Sequence, residues 1–366
     1  MERRIFPICA LVLSFALLLN ASPSSGKEVS ITVVYSSNTM GEVDPSCWEQ
    51  TKFAGGLARR AHYIKKTKEE VKNLIILDGG DALTTELKGD EEKIEKIRKR
   101  AELVLKIYET IGYDGLNVGD NDLILGVEYL RALQKHSKVP FLSANIKERK
   151  TGNPIFTPYL IKEINGSKVG IIGFLTPDIP PHIYEKMENY FIEDPIMVAI
   201  GIINGPIANC DHIIILAHLN LPEIESLAQS IPRISIIIGG HDHLLVFPRE
   251  INHAIWVQTG AFGLHIGRLN LKFAKGSSGF VDITQRNLIQ KNIDEIQKKI
   301  EDPRYVKEVD SLKRMMPILI EQKKKMPDGE DKNTYENHLT LLHPGTASDP
   351  EVEELISSSK DRSKQP

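Results

Sequence analysis

From Val29 to about Phe273, short β-branched runs alternate with stretches whose apolar residues recur at helical spacing. The runs ITVVYSS, NLIILDGG, DGLNVGD, FLSANI, KVGIIGFLTP, HIIILAHL and ISIIIGGHDHL read as strands. Between them, segments such as GGLARRAHYIKKTKEEVKN put Leu57, Ala61, Ile64 and Val71 along one helical face. PYLIKEINGSKVGIIGF predicts a hairpin turning at Asn165 and Gly166, and IWVQTGAFGLHIGRLNLKFA predicts a second strand pair. Helices alternating with strands, interrupted by hairpins, predict an α/β protein built as a mixed sandwich rather than a simple doubly wound sheet.

The pattern changes at both ends. After about Lys275 the chain becomes rich in Lys, Glu, Ile and Met, and Pro303 and Pro317 divide residues 285–327 into two charged helices. The last segment, SSSKDRSKQP, reads as a frayed tail. At the start, Arg3 and Arg4 precede an apolar stretch from Ile5 to Leu19 and then small polar residues, the layout of a secretory signal peptide over residues 1–26. That stretch is shorter than the roughly 20 residues a spanning helix needs, so no stable membrane anchor is expected and the mature chain is expected outside the cytoplasm, periplasmic or extracellular. The expected division is a signal peptide over 1–26, an α/β domain over 29–274 and a charged helical extension with a frayed tail over 275–366.

Composition narrows the class only a little. The 366 residues are 41% hydrophobic and 26% charged with a formal net charge of -3, ordinary for a globular protein, and basic residues are scattered among acidic ones, so nucleic acid is not an expected partner. Of three cysteines, Cys9 would leave with the signal. Cys47 follows the first strand and Cys210 precedes a later one, on the order of 20 Å apart across a parallel sheet, too far for a disulfide.

The candidate chemistry lies at strand ends, where ligands of open α/β sheets gather. Asn38, Asp81, Asp120, His218, His241 and His243 each follow an apolar run, and GGHDHL places two histidines either side of an aspartate just beyond two glycines. Taken singly, Asp81 and Asp120 suit turns or helix caps and His218 suits a hydrogen-bonded core position. Together, two carboxylates and three imidazoles form a mixed N/O donor set suited to Zn, Mn or Fe.

GGLARRA, LDGGDAL, NVGDNDLILGVEYL, PYLIKEINGSKVGIIGFLTP, IIILAHL, IGGHDHL and VQTGAFGLHIGRLNL, in that order over residues 30 to 273, resemble the calcineurin-like metallophosphoesterases, specifically the 5'-nucleotidase branch. The resemblance implies a four-layer α/β/β/α metallophosphoesterase sandwich that binds two metals and hydrolyses phosphoesters. It places Asp81 between the two ions, Asp120, His218 and His241 on the second, and His243 on the first. Two ions roughly 3.5 to 4 Å apart would then hold hydroxide and phosphate.

The departures from that pattern matter as much. Asn38 and Met40 stand where the family has an aspartate and a histidine, and a neutral amide with a thioether makes a weak first site. Glu42 and Asp44 lie nearby but suit a solvated loop. Asp120 replaces the usual asparagine and adds charge to the second site, while Asn121 replaces the histidine credited with protonating the leaving group, a role for which Asp122 is the neighbouring candidate. One tight site and one weak one are therefore expected. Residues 275–366 are too few and too charged for the family's large carboxyl-terminal domain, so nucleotide specificity is not implied. Arg59 and Arg60 read as a solvated helix face, with phosphate contact as the alternative, and His62, His136, His182, His253 and His265 as structural or surface residues. The expected activity is a metal-dependent hydrolysis of a small phosphate-containing substrate. The alternative is a non-catalytic relative that keeps the fold and uses its carboxyl-terminal helices for a protein partner.

Overall fold

Runs that are apolar at nearly every position become strands buried on both faces, and these form the centre of two stacked sheets. The structure, a computed structural model, describes residues 28–48, 51–84 and 91–362. The signal peptide expected over 1–26 lies outside the described residues, as does the side chain of Cys47. The first sheet runs in the order Val281–Asp282, Thr334–Leu341, His265–Phe273, Val29–Ser36, Leu74–Asp78, Gly115–Asn117, Phe141–Leu142. The second runs Leu245–Ile251, Ala254–Thr259, Ile234–Gly239, His212–His218, Ser167–Leu175, Tyr159–Ile164.

Side chains of alternating positions fill the space between the sheets. Val33, Tyr35, Ile75 and Leu77 from the first pack with Ile214, Leu216, Ile236 and Val257 from the second. The outer face of the first sheet is covered by helices Leu57–Glu70, Glu91–Ile111 and Pro350–Arg362, that of the second by Pro195–Asn204 and Leu221–Ser230. The layers are thus α/β/β/α. The hairpin between Tyr159–Ile164 and Ser167–Leu175 turns at Asn165 and Gly166, which both hold positive φ as a two-residue turn demands.

Two expectations need correction. The segment IWVQTGAFGLHIGRLNLKFA is not a strand pair: Ala254–Thr259 runs parallel to Ile234–Gly239 in the second sheet, whereas His265–Phe273 runs antiparallel to Val29–Ser36 in the first. The chain crosses between sheets at Gly260–Leu264, where Gly260, Phe262 and Gly263 hold positive φ. Residues 275–366 are also not merely a charged helical extension with a frayed tail. Helices Thr284–Glu301 and Val309–Lys324 are present, but Thr334–Leu341 adds a strand beside His265–Phe273, and Leu342, Val352 and Ile356 enter the same core cluster as Leu57 and Ile64. The strand TYENHLTL is hard to read because two of its buried side chains, Thr334 and Asn337, are polar, and the Tyr35 hydroxyl donates to Asn337 Oδ1 at 2.9 Å. Leu342→Ala should accordingly cost about 2–5 kcal/mol of stability, as for any fully buried leucine, measured by urea unfolding. A cost near zero would show that the carboxyl-terminal segment is only draped on the surface.

Candidate metal centre

Parallel pairing brings the carboxyl ends of Val29–Ser36, Leu74–Asp78 and Gly115–Asn117 in one sheet, and of Ser167–Leu175, His212–His218 and Ile234–Gly239 in the other, to one edge. The loops that follow carry the ligand-type side chains. The first two loops are tied together through the backbone: Asn38 N–H donates to the Gly80 carbonyl at 2.8 Å and Met40 N–H to that of Asp81 at 2.7 Å. Asn38, Met40, Asp81, His241, His243 and Phe262 all hold positive φ without being glycine. Strained backbone gathered at one point persists only where neighbouring contacts enforce it, and such points are commonly functional.

His218 is the centre of the arrangement and is fully buried. A Cβ on either Gly80 or Gly240 would lie 2.6 Å from its Nδ1, so the glycine pairs of LDGGD and IGGHD make room for this ring. Its Nδ1 lies 3.2 Å from the Gly79 carbonyl, which can only accept, so Nδ1 carries a proton. Nε2 then faces Asp120 Oδ1 at 2.9 Å and Asp81 Oδ2 at 3.4 Å. His241 Nδ1 approaches the same Asp120 oxygen at 3.1 Å.

Carboxylates and imidazole nitrogens converge like this only around positive charge. On His218, burial works to lower the pKa, but Asp81 and Asp120 outweigh it and hold the imidazole well above the usual histidine range. Burial likewise works to raise Asp120, and the hydrogen bonds from His218 and His241 overcome it and hold the carboxyl well below its usual range. A divalent cation can take the place of the His218 proton that faces the carboxylates. Asp120, His218 and His241 each offer one donor atom, all within 4.8 Å of one another, with Asp81 adjoining. The donors are those of Zn, Mn or Fe sites, and the His218–Gly79 contact is of the kind that fixes a ligand's tautomer. The residues fit a divalent cation.

The remaining candidates take other places. Asn121 donates to both Asp81 oxygens, from its backbone N–H at 2.9 Å and its side-chain amide at 2.6 Å, and so orients that carboxylate. Asp122 is 1% exposed, and its oxygens accept from the N–H groups of Asp81, Leu83 and Gly119 at 2.9–3.1 Å. Burial first, then the charge of Asp81, pushes Asp122 up to about 8, but the carboxyl faces the loop backbone beneath the site. Asn38 is committed at both ends: its amide donates to the Gly260 carbonyl at 2.9 Å and its Oδ1 accepts from His241 N–H at 3.1 Å. It pins the strand-crossing loop to the GGHDH loop. His243 is exposed beside Phe262 and outside the donor cluster, while Met40 is buried. Glu42 and Asp44 pair with Arg100 and Lys360.

Arg60 is a further correction. It shares the inward face of its helix with Leu57 and Ile64 and is fully buried, donating to Thr39 Oγ1 at 2.8 Å and the Tyr108 hydroxyl at 2.9 Å. Tyr108 in turn donates to Asp78 Oδ2 at 2.9 Å, so a buried cation and carboxylate brace the first two site loops from behind. Arg59 instead donates to the carbonyls of Phe53, Gly55 and Leu342.

A cavity of about 470 Å³ opens above the donors, with Met40, Asn121, His243 and Phe262 in its walls. His182 also lines it, a residue that the strand-end reasoning passed over because it stands seven positions beyond the end of Ser167–Leu175. The signal available was the loop itself, since it follows a parallel strand of the site edge.

No protein-family model matches the chain. Among curated proteins it is 28% identical over 267 residues to a 2',3'-cyclic-nucleotide 2'-phosphodiesterase/3'-nucleotidase of Salmonella typhimurium, covering 63% of this chain and 41% of the relative. It is 24% identical over 299 residues to a 5'-nucleotidase of Rattus norvegicus, covering 72% and 50%. The chain thus spans about half the length of the curated relatives it matches. A calcineurin-like phosphoesterase of Bacillus subtilis superposes with a TM-score of 0.65 at 20% identity, covering 92% of this chain and 98% of that one, which shows the shared fold.

Proposed function

Since the chain belongs to the calcineurin-like metallophosphoesterase superfamily, on its 5'-nucleotidase branch, we propose that it is an exported hydrolase of small phosphoesters. It would hold one divalent cation on Asp81, Asp120, His218 and His241. The observation that carries this reading is the triad of Asp120, His218 and His241, whose donor atoms come from one strand end and two loops to within 4.8 Å of one another. When bound, the cation supplies Lewis-acid polarisation of a phosphoryl oxygen. The chain's own residues do the rest. Gly79 fixes the proton on His218 Nδ1 and so turns Nε2 inward, and Asn121 keeps the Asp81 carboxylate from rotating. Met40 and Phe262 give the cavity an apolar wall beside the donors. Attack by water on phosphorus then breaks the bond to the ester oxygen, which must leave with a proton or as an anion.

The test is turnover of an aryl phosphate by purified protein. We expect hydrolysis that a chelator abolishes and added Zn or Mn restores. The commitment of Asn38 to Gly260 and His241 favours a second reading, a non-catalytic relative that binds one cation and acts as a scaffold. Its partner surface would be the hairpin of Thr284–Glu301 and Val309–Lys324, where Met315 and Ile318 are exposed. Bound metal with no turnover of any phosphate ester would select it.

Export rests on the charged start and apolar stretch over residues 3–19. Among the described residues no helix is long and apolar enough to cross a membrane. Fractionation should recover a form shortened by the leader outside the cytoplasm, and full-length protein that resists alkaline washing of membranes would contradict this.

A further inference from the structure

We propose that His182 is the general acid that protonates the leaving oxygen, an inference that rests on the hydrolase reading above. Hydrolysis of an ester of a weakly acidic alcohol needs a proton delivered as the bond to phosphorus breaks. The titratable side chains in the cavity wall are Asp120, His182, His241 and His243. Asp120 and His241 are bound to each other within the cation seat, at 3.1 Å. Asn121, which also faces the cavity, has no proton to give as an acid and spends its amide on Asp81. His243 follows two residues after a ligand on a backbone held at positive φ. His182 alone among the four comes from a loop that supplies no ligand, and it is an exposed residue in the cavity wall.

Its placement is fixed by the chain on either side. Thr176 N–H donates to the His218 carbonyl at 2.8 Å, which ties the start of the loop to the central ligand's own strand. Ile179 and Ile183 are buried in the core cluster below, and Pro180 and Pro181 restrict φ between them. Ile183 N–H and Tyr184 N–H both donate to the Pro180 carbonyl, closing the short turn Pro181–Tyr184. A histidine flanked by two buried anchors and a proline pair is thus held at the wall by its backbone while its imidazole stays free to reach the substrate. In the step proposed, water oxygen bonds to phosphorus, the bond from phosphorus to the ester oxygen breaks, and the imidazolium of His182 gives its proton to that oxygen. The products are the alcohol and inorganic phosphate, and solvent reprotonates the neutral imidazole.

The experiment compares the full-length natural protein with His182→Ala and His182→Gln, all loaded with the same metal, on alkyl, phenyl and 4-nitrophenyl phosphate. The variants should lose about 100-fold or more in kcat on the alkyl ester. The loss should shrink as the leaving group becomes more acidic, so that the dependence of rate on leaving-group acidity steepens. Metal content should not change in either variant. An equal loss on all three esters, or none, overturns the assignment while leaving the hydrolase reading intact. No turnover of any ester by the natural protein overturns both.

Discussion

His218→Ala should release the metal almost completely and lower turnover by at least about 100-fold, since even residues that only orient a metal ligand are worth about 10- to 100-fold. The reason is geometric as well as chemical. His218 meets both carboxylates of the seat, Asp120 at 2.9 Å and Asp81 at 3.4 Å, from a fully buried position. Alanine leaves those carboxylates facing each other with no positive charge between them. Breaking one side of a buried ionic group typically costs about 3–5 kcal/mol, so the metal-free variant should also be markedly less stable. His241→Ala is the informative control, because its ring is partly exposed and its removal leaves His218 in place. It should lose metal and turnover while losing less stability than His218→Ala. Elemental analysis, urea unfolding and aryl phosphatase rates on the three proteins check this, and a His218→Ala protein that keeps its metal would remove the histidine from the centre.

The second large effect concerns Asn38. If the first metal position is absent because of residues 38 and 40, then Asn38→Asp with Met40→His should allow a second ion. The structure adds a condition. Asn38 donates to the Gly260 carbonyl at 2.9 Å, and an aspartate there would set a carboxylate oxygen against that carbonyl unless a cation comes between. The other oxygen can still accept from His241 N–H. In metal-free buffer Asn38→Asp should therefore lower stability by about 1–3 kcal/mol, the usual cost of leaving a buried polar group without its partner. With excess Zn or Mn the double variant should recover that stability, take up about two equivalents and hydrolyse aryl phosphate faster than the natural protein. A double variant whose stability ignores metal would show that the amide clip, not the missing ligands, governs this side of the site.

Much of this site was open to sequence reasoning because it stands on a simple rule. Asp81, Asp120, His218 and His241 each follow an apolar run, and parallel strands bring such positions to one edge. What escaped depended on partners far along the chain. The amide clip of Asn38 joins residues more than 200 positions apart, and nothing local distinguishes a clip from a weak ligand. Asp122 looks like a second acid until its oxygens are seen to be taken by three backbone N–H groups. Arg60 was misread because a charged residue on an amphipathic helix is usually solvated, although its spacing from Leu57 and Ile64 already put it on the buried face. The strand Thr334–Leu341 escapes pattern reading because Thr334 and Asn337 are buried although polar, whereas such reading looks for apolar alternation.

The central claim is a single well-formed cation seat beside a first position closed by Asn38, and the metal content of the natural protein tests it most directly. Mass-spectrometric elemental analysis of the purified mature chain, after exhaustive dialysis, should find about one equivalent of Zn or Mn per chain. Two tightly held equivalents would contradict the closed first position, and none, even after incubation with excess metal, would contradict the seat itself.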